Sequence, residues 1–265
     1  MQNDELRILF LGDIVGNPGR KAAIKFVQAH RKQVDCIIAN CENASGGKGI
    51  TIANAQELMD AGIDGMTSGN HIWHKKDIAT LLSSSHQIIR PLNYPPGTPG
   101  EGYTVLNLQN NIKVGLINLL GRIYMETVDC PFRCLEEPLE KLNAVTPILL
   151  VDFHAEASSE KRAMGFFLDG KVSAVLGTHT HVQTNDFQLL PKGTAYITDA
   201  GMTGPHHSVI GVKKEIIVQK FVTQIPEHFD VSKESIQRVD YVEIILNRQT
   251  GKAISIKGCH ELIDE

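Results

Sequence analysis

Five short segments of the sequence place metal-ligand side chains where predicted strands end. They are Gly12-Asp13, Cys41-Glu42-Asn43, Gly69-Asn70-His71, Asp152-Phe153-His154 and Gly177-Thr178-His179-Thr180-His181. Ligands of α/β proteins collect outside the carboxyl ends of the sheet strands, so segments far apart in sequence can meet there. We therefore expect these five segments to build one site.

The residue types at these positions indicate which metals would suit them. The seven candidate ligands are Asp13, Glu42, Asn43, Asn70, His154, His179 and His181. Carboxylate, amide and imidazole ligands without a required thiolate suit Mn, Fe or Zn better than Cu(I) or an iron–sulfur cluster. Seven ligands are too many for one tetrahedral zinc ion, but they fit two ions if Glu42 bridges them. Such a centre keeps a net positive charge, attracts a phosphate ester and lowers the pKa of a bridging water to about 7.

Each candidate also has an ordinary explanation when taken alone. Asp13 is a common turn residue, and His154 could simply be a hydrogen-bonded histidine at a strand end. His179 and His181 are harder to dismiss, because residues two apart on an extended chain point to the same side. The prediction of a metal site therefore depends on the occurrence of all five strand-end segments together.

The first ninety residues alternate predicted strands with predicted helices. Short apolar runs at residues 7–11, 36–39 and 64–67 indicate buried strands. Asn17-Pro18 predicts the cap and first turn of a helix that ends near residue 33, and Thr51 predicts the cap of a second helix. This alternation is typical of βαβ units.

The pattern of elements changes after residue 90. A loop is predicted at residues 91–102, a helix at 133–143, and strands at 148–153, 172–176, 187–190 and 195–198. Hairpins are predicted at residues 103–118 and 239–257. We expect a mixed α/β sandwich with residues 1–265 in a single domain.

The composition of the chain excludes several classes of protein. The chain has 265 residues, a net charge of −4 and 42% hydrophobic residues, which is typical of a globular protein and does not favour a surface that coats nucleic acid. Its five cysteines, an odd number without a secretory signal, favour reduced thiols, and no thiolate zinc site is expected at Cys130 and Cys134. No run approaches the ~20 apolar residues of a membrane span. We expect a soluble cytoplasmic protein with no membrane contact.

Six segments together resemble the calcineurin-like metallophosphoesterases and, within them, the bacterial YmdB-like phosphodiesterases. The segments are ILFLGDIVG (8–16), NCENA (40–44), GNHIW (69–73), VDFHAEA (151–157), GTHTHVQT (177–184) and DAGMTGP (199–205). The resemblance covers the chain almost end to end. It implies a four-layer αββα sandwich of mixed sheets. Val15 stands where the superfamily usually has a histidine, and Glu42 replaces its usual aspartate, as in the YmdB-like branch.

The resemblance also implies a role for each candidate residue. Asp13, Glu42, Asn43 and His181 would hold the first metal ion. Glu42, Asn70, His154 and His179 would hold the second, with Glu42 shared between them. His71 would be the catalytic residue that is not a ligand, orienting the phosphate or protonating the leaving oxygen.

The implied activity is hydrolysis of phosphodiesters, including 2′,3′-cyclic nucleotides, with two Fe or Mn ions, although Zn also fits. A metal-bridging hydroxide would attack phosphorus while His71 assists the leaving group. The alternatives are a phosphomonoesterase or nuclease using the same site, and a nucleotide- or partner-binding regulator of RNA processing with weak catalysis. Substrate choice is expected to depend on residues 91–102 and 201–210. An RNA-processing protein and a second copy of the chain remain open as partners, as do the roles of Lys48, His74, His206 and His207.

Overall fold

Two mixed β-sheets face each other across an apolar core in the computed structural model, which describes residues 4–264. The strands are β1 (Glu5–Leu11), β2 (Asp13–Ile14), β3 (Cys36–Asn40), β4 (Gly65–Thr67), β5 (Tyr103–Asn107), β6 (Lys113–Leu120), β7 (Leu149–His154), β8 (Ala174–Thr178), β9 (Gln188–Leu189), β10 (Ala195–Ile197), β11 (Met202–Pro205), β12 (Ile236–Asn247) and β13 (Ala253–Asp264). The helices are α1 (Gly16–His30), α2 (Ile52–Asp60), α3 (Ile78–Ser84), α4 (Glu136–Asn143), α5 (Ser158–Leu168) and α6 (Lys214–Thr223).

Both sheets mix parallel and antiparallel strand pairs. The six-stranded sheet is parallel at its centre and antiparallel at its edges, whereas the antiparallel pairs of the seven-stranded sheet lie at its centre, around β12. The seven-stranded sheet has the order β2-β11-β12-β1-β3-β4, with β13 paired to β12, and β1, β3 and β4 are parallel. The six-stranded sheet has the order β5-β6-β7-β8-β10-β9, and β6, β7, β8 and β10 are parallel. The register sets Asn40 opposite Thr67 and His154 opposite Thr178. Neighbouring strands therefore end level with each other on the side where the candidate ligands follow.

Alternating side chains divide the protein into four layers. Along β1, Ile8 and Phe10 belong to the core between the sheets, whereas Leu9 and Leu11 pack with Phe26 of α1 on the outer face. Side chains of the six-stranded sheet alternate in the same way, because successive residues of a strand point to opposite faces. Leu150 of β7 lies in the inter-sheet core, and its neighbours pack with α5 in a third cluster that includes Val151, Phe153, Met164 and Leu168. The predicted αββα sandwich is confirmed.

The two predicted helix starts have different outcomes. Thr51 caps α2 as predicted, since its hydroxyl accepts a hydrogen bond of 3.3 Å from the backbone N–H of Asn54. The prediction that Asn17 caps the first helix is wrong, because α1 begins at Gly16, two residues before the predicted first residue Pro18, and its cap is Val15. The backbone N–H of Val15 is instead held by Thr203, at 2.9 Å. A neighbouring strand rather than a side-chain cap therefore sets the entry to α1.

Both predicted hairpins are confirmed, but the second is much longer than expected. Its strands β12 and β13 have 12 residues each and pair from Ile236–Asp264 to Leu246–Ala253. The elements that were not predicted include α5, α6 and the short strands β2 and β11. Within residues 4–264, no helix has the length and apolar character needed to cross a membrane.

Truncation of Phe10 tests the importance of the core between the sheets. Phe10 has 0% exposure, so Phe10→Ala removes a ring from a packed interior. We expect the free energy of unfolding to fall by about 3–5 kcal/mol, measured by denaturant titration. The matched control is Phe221→Ala, because the Phe221 side chain is 72% exposed. Equal effects of the two substitutions would contradict this description of the core.

Candidate metal centre

The candidate ligands meet where parallel strands of both sheets end. Glu42 and Asn43 follow β3, and Asn70 follows β4, in the seven-stranded sheet. His154 is the last residue of β7 in the six-stranded sheet. Asp13 forms part of the short strand β2 just after β1, and His179 and His181 follow β8. The predicted convergence of the five segments at one edge is present.

One half of the site surrounds the buried ring of His154. Its Nε2 atom lies 3.2 Å from Glu42 Oε1, 3.2 Å from Asn70 Oδ1 and 3.0 Å from His179 Nδ1. Glu42, His154 and His179 each offer a ligand atom within 4.8 Å of the others. Such a cluster of carboxylate, amide and imidazole groups can hold a divalent metal ion.

The other half of the site is arranged around Asp13. Its Oδ1 atom lies 3.8 Å from His154 Nδ1 and 4.0 Å from His181 Nε2. His181 Nε2 is in turn 3.3 Å from Asn43 Oδ1. Asp13 Oδ1 is buried and accepts no hydrogen bond from the residues that the structure describes. Since an unpaired buried carboxylate oxygen is costly, this atom fits a bound cation.

Each loop histidine is held through the ring nitrogen that faces away from the centre. His179 Nε2 lies 3.1 Å from Glu156 Oε2, and His181 Nδ1 lies 3.0 Å from the carbonyl of Ile210. Such partners fix the tautomer and orientation of a metal-binding histidine. They leave Nδ1 of His179 and Nε2 of His181 to face the candidate ligands.

A buried network behind His154 joins the two sheets. His154 Nδ1 lies 2.9 Å from the hydroxyl of Thr178, which donates a hydrogen bond of 2.7 Å to Asp152. Asp152 also accepts hydrogen bonds from Thr67 and from the amide of Asn40, the latter at 2.9 Å. Burial raises the pKa of Asp152 to about 6. Asp152 therefore supports His154 indirectly, through Thr178.

The two amide side chains are also fixed with their oxygens toward the centre. Asn70 Nδ2 donates a hydrogen bond of 3.0 Å to Glu126 Oε1, and Asn43 Nδ2 donates one of 2.9 Å to the carbonyl of Gly47. Because each NH₂ group is engaged elsewhere, the carboxamide oxygens of Asn70 and Asn43 are free to act as candidate ligand atoms.

Burial and neighbouring charges shift the pKa values of four residues of the site. Burial raises the pKa of Asp13. Burial also acts to raise the pKa of Glu42, but His154 and His71 outweigh it and hold that pKa well below its usual value. Burial opposes a charge on His154, yet Glu42 and Asp13 raise its pKa to about 9. Burial and the charge of His154 lower the pKa of His179 to about 3.

The loop that carries His179 and His181 is not extended, so the prediction of two residues on one side of a strand is wrong. Strand β8 ends at Thr178, and the two histidines have φ angles of +101° and +63°. Such angles are uncommon outside glycine and cost free energy unless the surroundings impose them. Here a bent backbone, rather than strand alternation, brings both rings to the site.

A buried ion pair fixes this loop. Lys161 Nζ donates hydrogen bonds of 2.7 Å to Asp199 Oδ2 and of 2.7 Å to the carbonyl of Thr178. Asp199 Oδ2 also accepts the backbone N–H of Thr180 at 3.1 Å. Lys161 and Asp199 have 1% and 0% side-chain exposure. The pair therefore clamps the backbone on both sides of His179.

Gly69 is required by the close approach of the ligands. A Cβ atom at this position would lie 2.3 Å from Glu42 Oε2 and 2.4 Å from His154 Nε2. No side chain heavier than hydrogen fits there without moving one of these groups.

His71 lies beside the centre and faces a cavity. Its Nδ1 atom is 3.2 Å from Glu42 Oε1 and 3.1 Å from Asn43 Nδ2, and its backbone N–H donates to Glu42 Oε2 at 3.0 Å. It lines a cavity of about 760 Å³ together with Asn43 and His181. The neighbouring His74 is exposed, and its ring packs edge-on against His71 with centroids 5.0 Å apart.

Several supporting residues were missed from the sequence. Glu156 and Thr178 lie inside segments that resemble the family, and their positions beside predicted ligands were the available signal. Glu126 lies outside the predicted elements, and Lys161 lies in the unpredicted helix α5. Their contacts join parts of the chain 56 and 38 residues apart, which no local pattern reveals.

A protein-family model described as YmdB-like protein matches residues 9–259. The chain belongs to the YmdB-like family. It is 43% identical over 254 residues to the 2′,3′-cyclic-nucleotide 2′-phosphodiesterase of Bacillus subtilis, covering 95% of this chain and 96% of that protein. The predicted family, and with it the predicted class of enzyme, a hydrolase of phosphoric ester bonds, is confirmed.

Solved structures of similar chains share the fold. A protein of Thermus thermophilus described as hypothetical superimposes with a TM-score of 0.91 at 41% identity, covering 97% of this chain and 99% of the other. A structure described as a novel phosphatase of Mycoplasma pneumoniae gives a TM-score of 0.90 at 36% identity, covering 100% and 96%. The YmdB-like fold is therefore shared over almost the whole chain.

Removal of the charge of Lys161 tests the clamp on the histidine loop. Lys161→Met leaves the Asp199 carboxylate buried without its cation, and we expect the free energy of unfolding to fall by about 3–5 kcal/mol. Denaturant titration measures this change. Lys141→Met is the matched control, because Lys141 forms an exposed pair with Glu137 on α4 and should alter stability little. An equally small effect at Lys161 would show that the pair does not support the loop.

Proposed function

We propose that this chain hydrolyses phosphodiester bonds at a centre of two metal ions, with 2′,3′-cyclic nucleotides as substrates. The observation that carries the proposal is the convergence of carboxylate, amide and imidazole groups around Glu42 and His154. They lie next to a buried Asp13 oxygen that accepts no hydrogen bond from residues 4–264. The printed name of the Bacillus subtilis relative supports the substrate class.

The contacts support a division of the ligands between two ions. Asp13, Asn43 and His181 form one group, through separations of 4.0 Å and 3.3 Å from His181 Nε2. Asn70, His154 and His179 form the other. We assign Glu42 to both groups. Iron or manganese suits this mixture of oxygen and imidazole ligands, and zinc also fits.

When bound, the two ions supply Lewis acidity toward the phosphate oxygens and lower the pKa of a water nucleophile. The side chains of the protein position the substrate and supply the proton for the leaving group. His71 is held through Nδ1 by Glu42 and Asn43, which leaves Nε2 for the substrate. As water forms its bond to phosphorus it releases a proton to solvent, and one bond from phosphorus to a ribose oxygen breaks. Nε2 of His71 gives that oxygen a proton and regains one from solvent.

A phosphomonoesterase activity is the second candidate function. It is favoured by the 36% identity to the structure described as a novel phosphatase. The ligand groups are the same for both reactions, so rates on a monoester and a diester of one leaving group decide between them. A higher kcat/KM for the diester supports the proposal.

Glu42→Gln tests the shared ligand. The substitution keeps the shape of the side chain but removes the charge assigned to both ions. We expect metal content to fall from about two ions per chain and hydrolysis of 2′,3′-cyclic AMP to fall at least about 100-fold. Metal analysis of the purified proteins and steady-state kinetics measure the two effects. The matched control is Glu140→Gln at an exposed position of α4. Full metal loading and full activity in Glu42→Gln would refute the assignment.

His71→Ala tests the proton donor separately from the metal ions. We expect about 10²–10⁴-fold slower hydrolysis of 2′,3′-cyclic AMP with unchanged metal content. The loss should be much smaller with a p-nitrophenyl diester, since p-nitrophenolate leaves without a proton.

The control for this substitution is the exposed His86, as His86→Ala, which should keep wild-type rates. An equal loss with both leaving groups in His71→Ala would indicate that His71 positions the phosphate and does not protonate the leaving oxygen.

A further inference from the structure

The cavity beside His71 has one wall that belongs to the metal centre and one that does not. Asn43, His71 and His181 form the first wall. The second wall comes from residues 210–231 and includes the ring of Phe229. Substrate choice was expected to depend on residues 91–102 and 201–210. Among the described residues, the lining contains Ile210 from the second range and none from the first.

Backbone hydrogen bonds fix the inner part of the second wall, around residues 209–212. Val209 and Val212 exchange backbone hydrogen bonds of 2.9 and 3.0 Å, and Ser232 N–H donates to Gly211 at 2.9 Å. The carbonyl of Ile210 contacts the ring of His181 at 3.0 Å. The wall is therefore attached to the metal centre at its inner edge.

The position of His71 indicates which side of the centre the nucleoside occupies. The oxygen that His71 protonates remains part of the ribose, so the nucleoside must lie on the side of His71. The cavity there has about 760 Å³, which is within the usual range of about 300–1,000 Å³ for small-molecule sites. A second cavity, beside Asn70, Tyr124 and His179, has only about 260 Å³ and does not include His71.

The chemistry of the larger cavity suits a nucleoside phosphate. Phe229 offers an aromatic surface and is 40% exposed. The ammonium group of Lys220 lies 4.5 Å from the centroid of its ring and adds positive charge at the same wall. Lys48 lines the cavity as well, on the same side of the centre as His71. The lining also includes the carboxylate of Glu227, so that two lysines and one glutamate leave it with a net positive charge. An aromatic ring and a net positive charge around one space match a base and an anionic phosphate.

We propose that this cavity is the nucleoside subsite, with the base packed against the ring of Phe229 and the phosphate beside His71. This inference rests on the proposed function. It makes Phe229 a residue that recognises the base and takes no part in the chemistry. Stacking tolerates any base, so the subsite favours nucleotides over phosphodiesters that have no base.

Steady-state kinetics of Phe229→Ala on two substrates test the subsite. The substrates are 2′,3′-cyclic AMP and methyl riboside 2′,3′-cyclic phosphate, which has the same cyclic diester but no base. We expect KM for 2′,3′-cyclic AMP to rise about 5- to 100-fold with little change in kcat, and KM for the base-free substrate to stay unchanged. Phe229→Tyr keeps an aromatic ring and should restore a near-normal KM.

The matched control is Tyr124→Ala at the smaller cavity. Tyr124 is 89% exposed, and its truncation should leave both substrates unaffected. An equal rise in KM for both substrates in Phe229→Ala would mean that Phe229 only shapes the wall, which overturns the inference. A base-specific rise in Tyr124→Ala instead would place the nucleoside at the smaller cavity. If the wild-type protein hydrolyses neither substrate, the proposed function fails, and the subsite fails with it.

Discussion

The structure depends on acidic groups buried where the two sheets meet. Asp13, Glu42 and Asp152 have at most 1% exposure, and charge so far from water must be compensated by nearby donors or cations. The compensation crosses between the sheets: Asn40 and Thr67 of one sheet donate to Asp152 of the other. The hydrogen bonds that join the two sheets at this edge thus also support the candidate site. A shift of one sheet against the other would therefore displace the residues of the site.

The loop that carries His179 and His181 has an unfavourable backbone conformation. His179 and His181 flank Thr180, and both have positive φ. For a residue other than glycine, such a backbone conformation is of order 1–3 kcal/mol less favourable than an ordinary one. The Lys161–Asp199 pair supplies the opposing interactions, since it binds the backbone at Thr178 and Thr180. Strain at His179 and His181 is therefore maintained by a buried ion pair that lies outside the candidate ligands.

Sequence patterns predicted the strand ends well, because an apolar run stopped by glycine or a polar residue is a local signal. Glu42 and Asn70 were found in this way, and the structure brings them to the same edge. The cap of α1 was missed because Val15 is held by Thr203, nearly 190 residues away. Glu126 and Lys161 were missed for the same reason: each acts through a partner that only the tertiary fold brings near. The shape of the loop after Thr178 depends on Asp199 in the same way.

The contact between Ile210 and His181 links the proposed nucleoside subsite to the candidate metal centre. The carbonyl of Ile210, in the second wall of the cavity, and the candidate ligand His181 share one hydrogen bond of 3.0 Å, so neither can shift alone without breaking it. The proposed packing of a base on this wall would restrain Ile210, and with it the ring orientation that leaves Nε2 of His181 toward Asp13. Because this coupling runs through the backbone carbonyl, substitution of the Ile210 side chain leaves it in place. The backbone of Ile210 thus positions His181, whereas the proposed recognition of the base uses the side chain of Phe229 in the same wall.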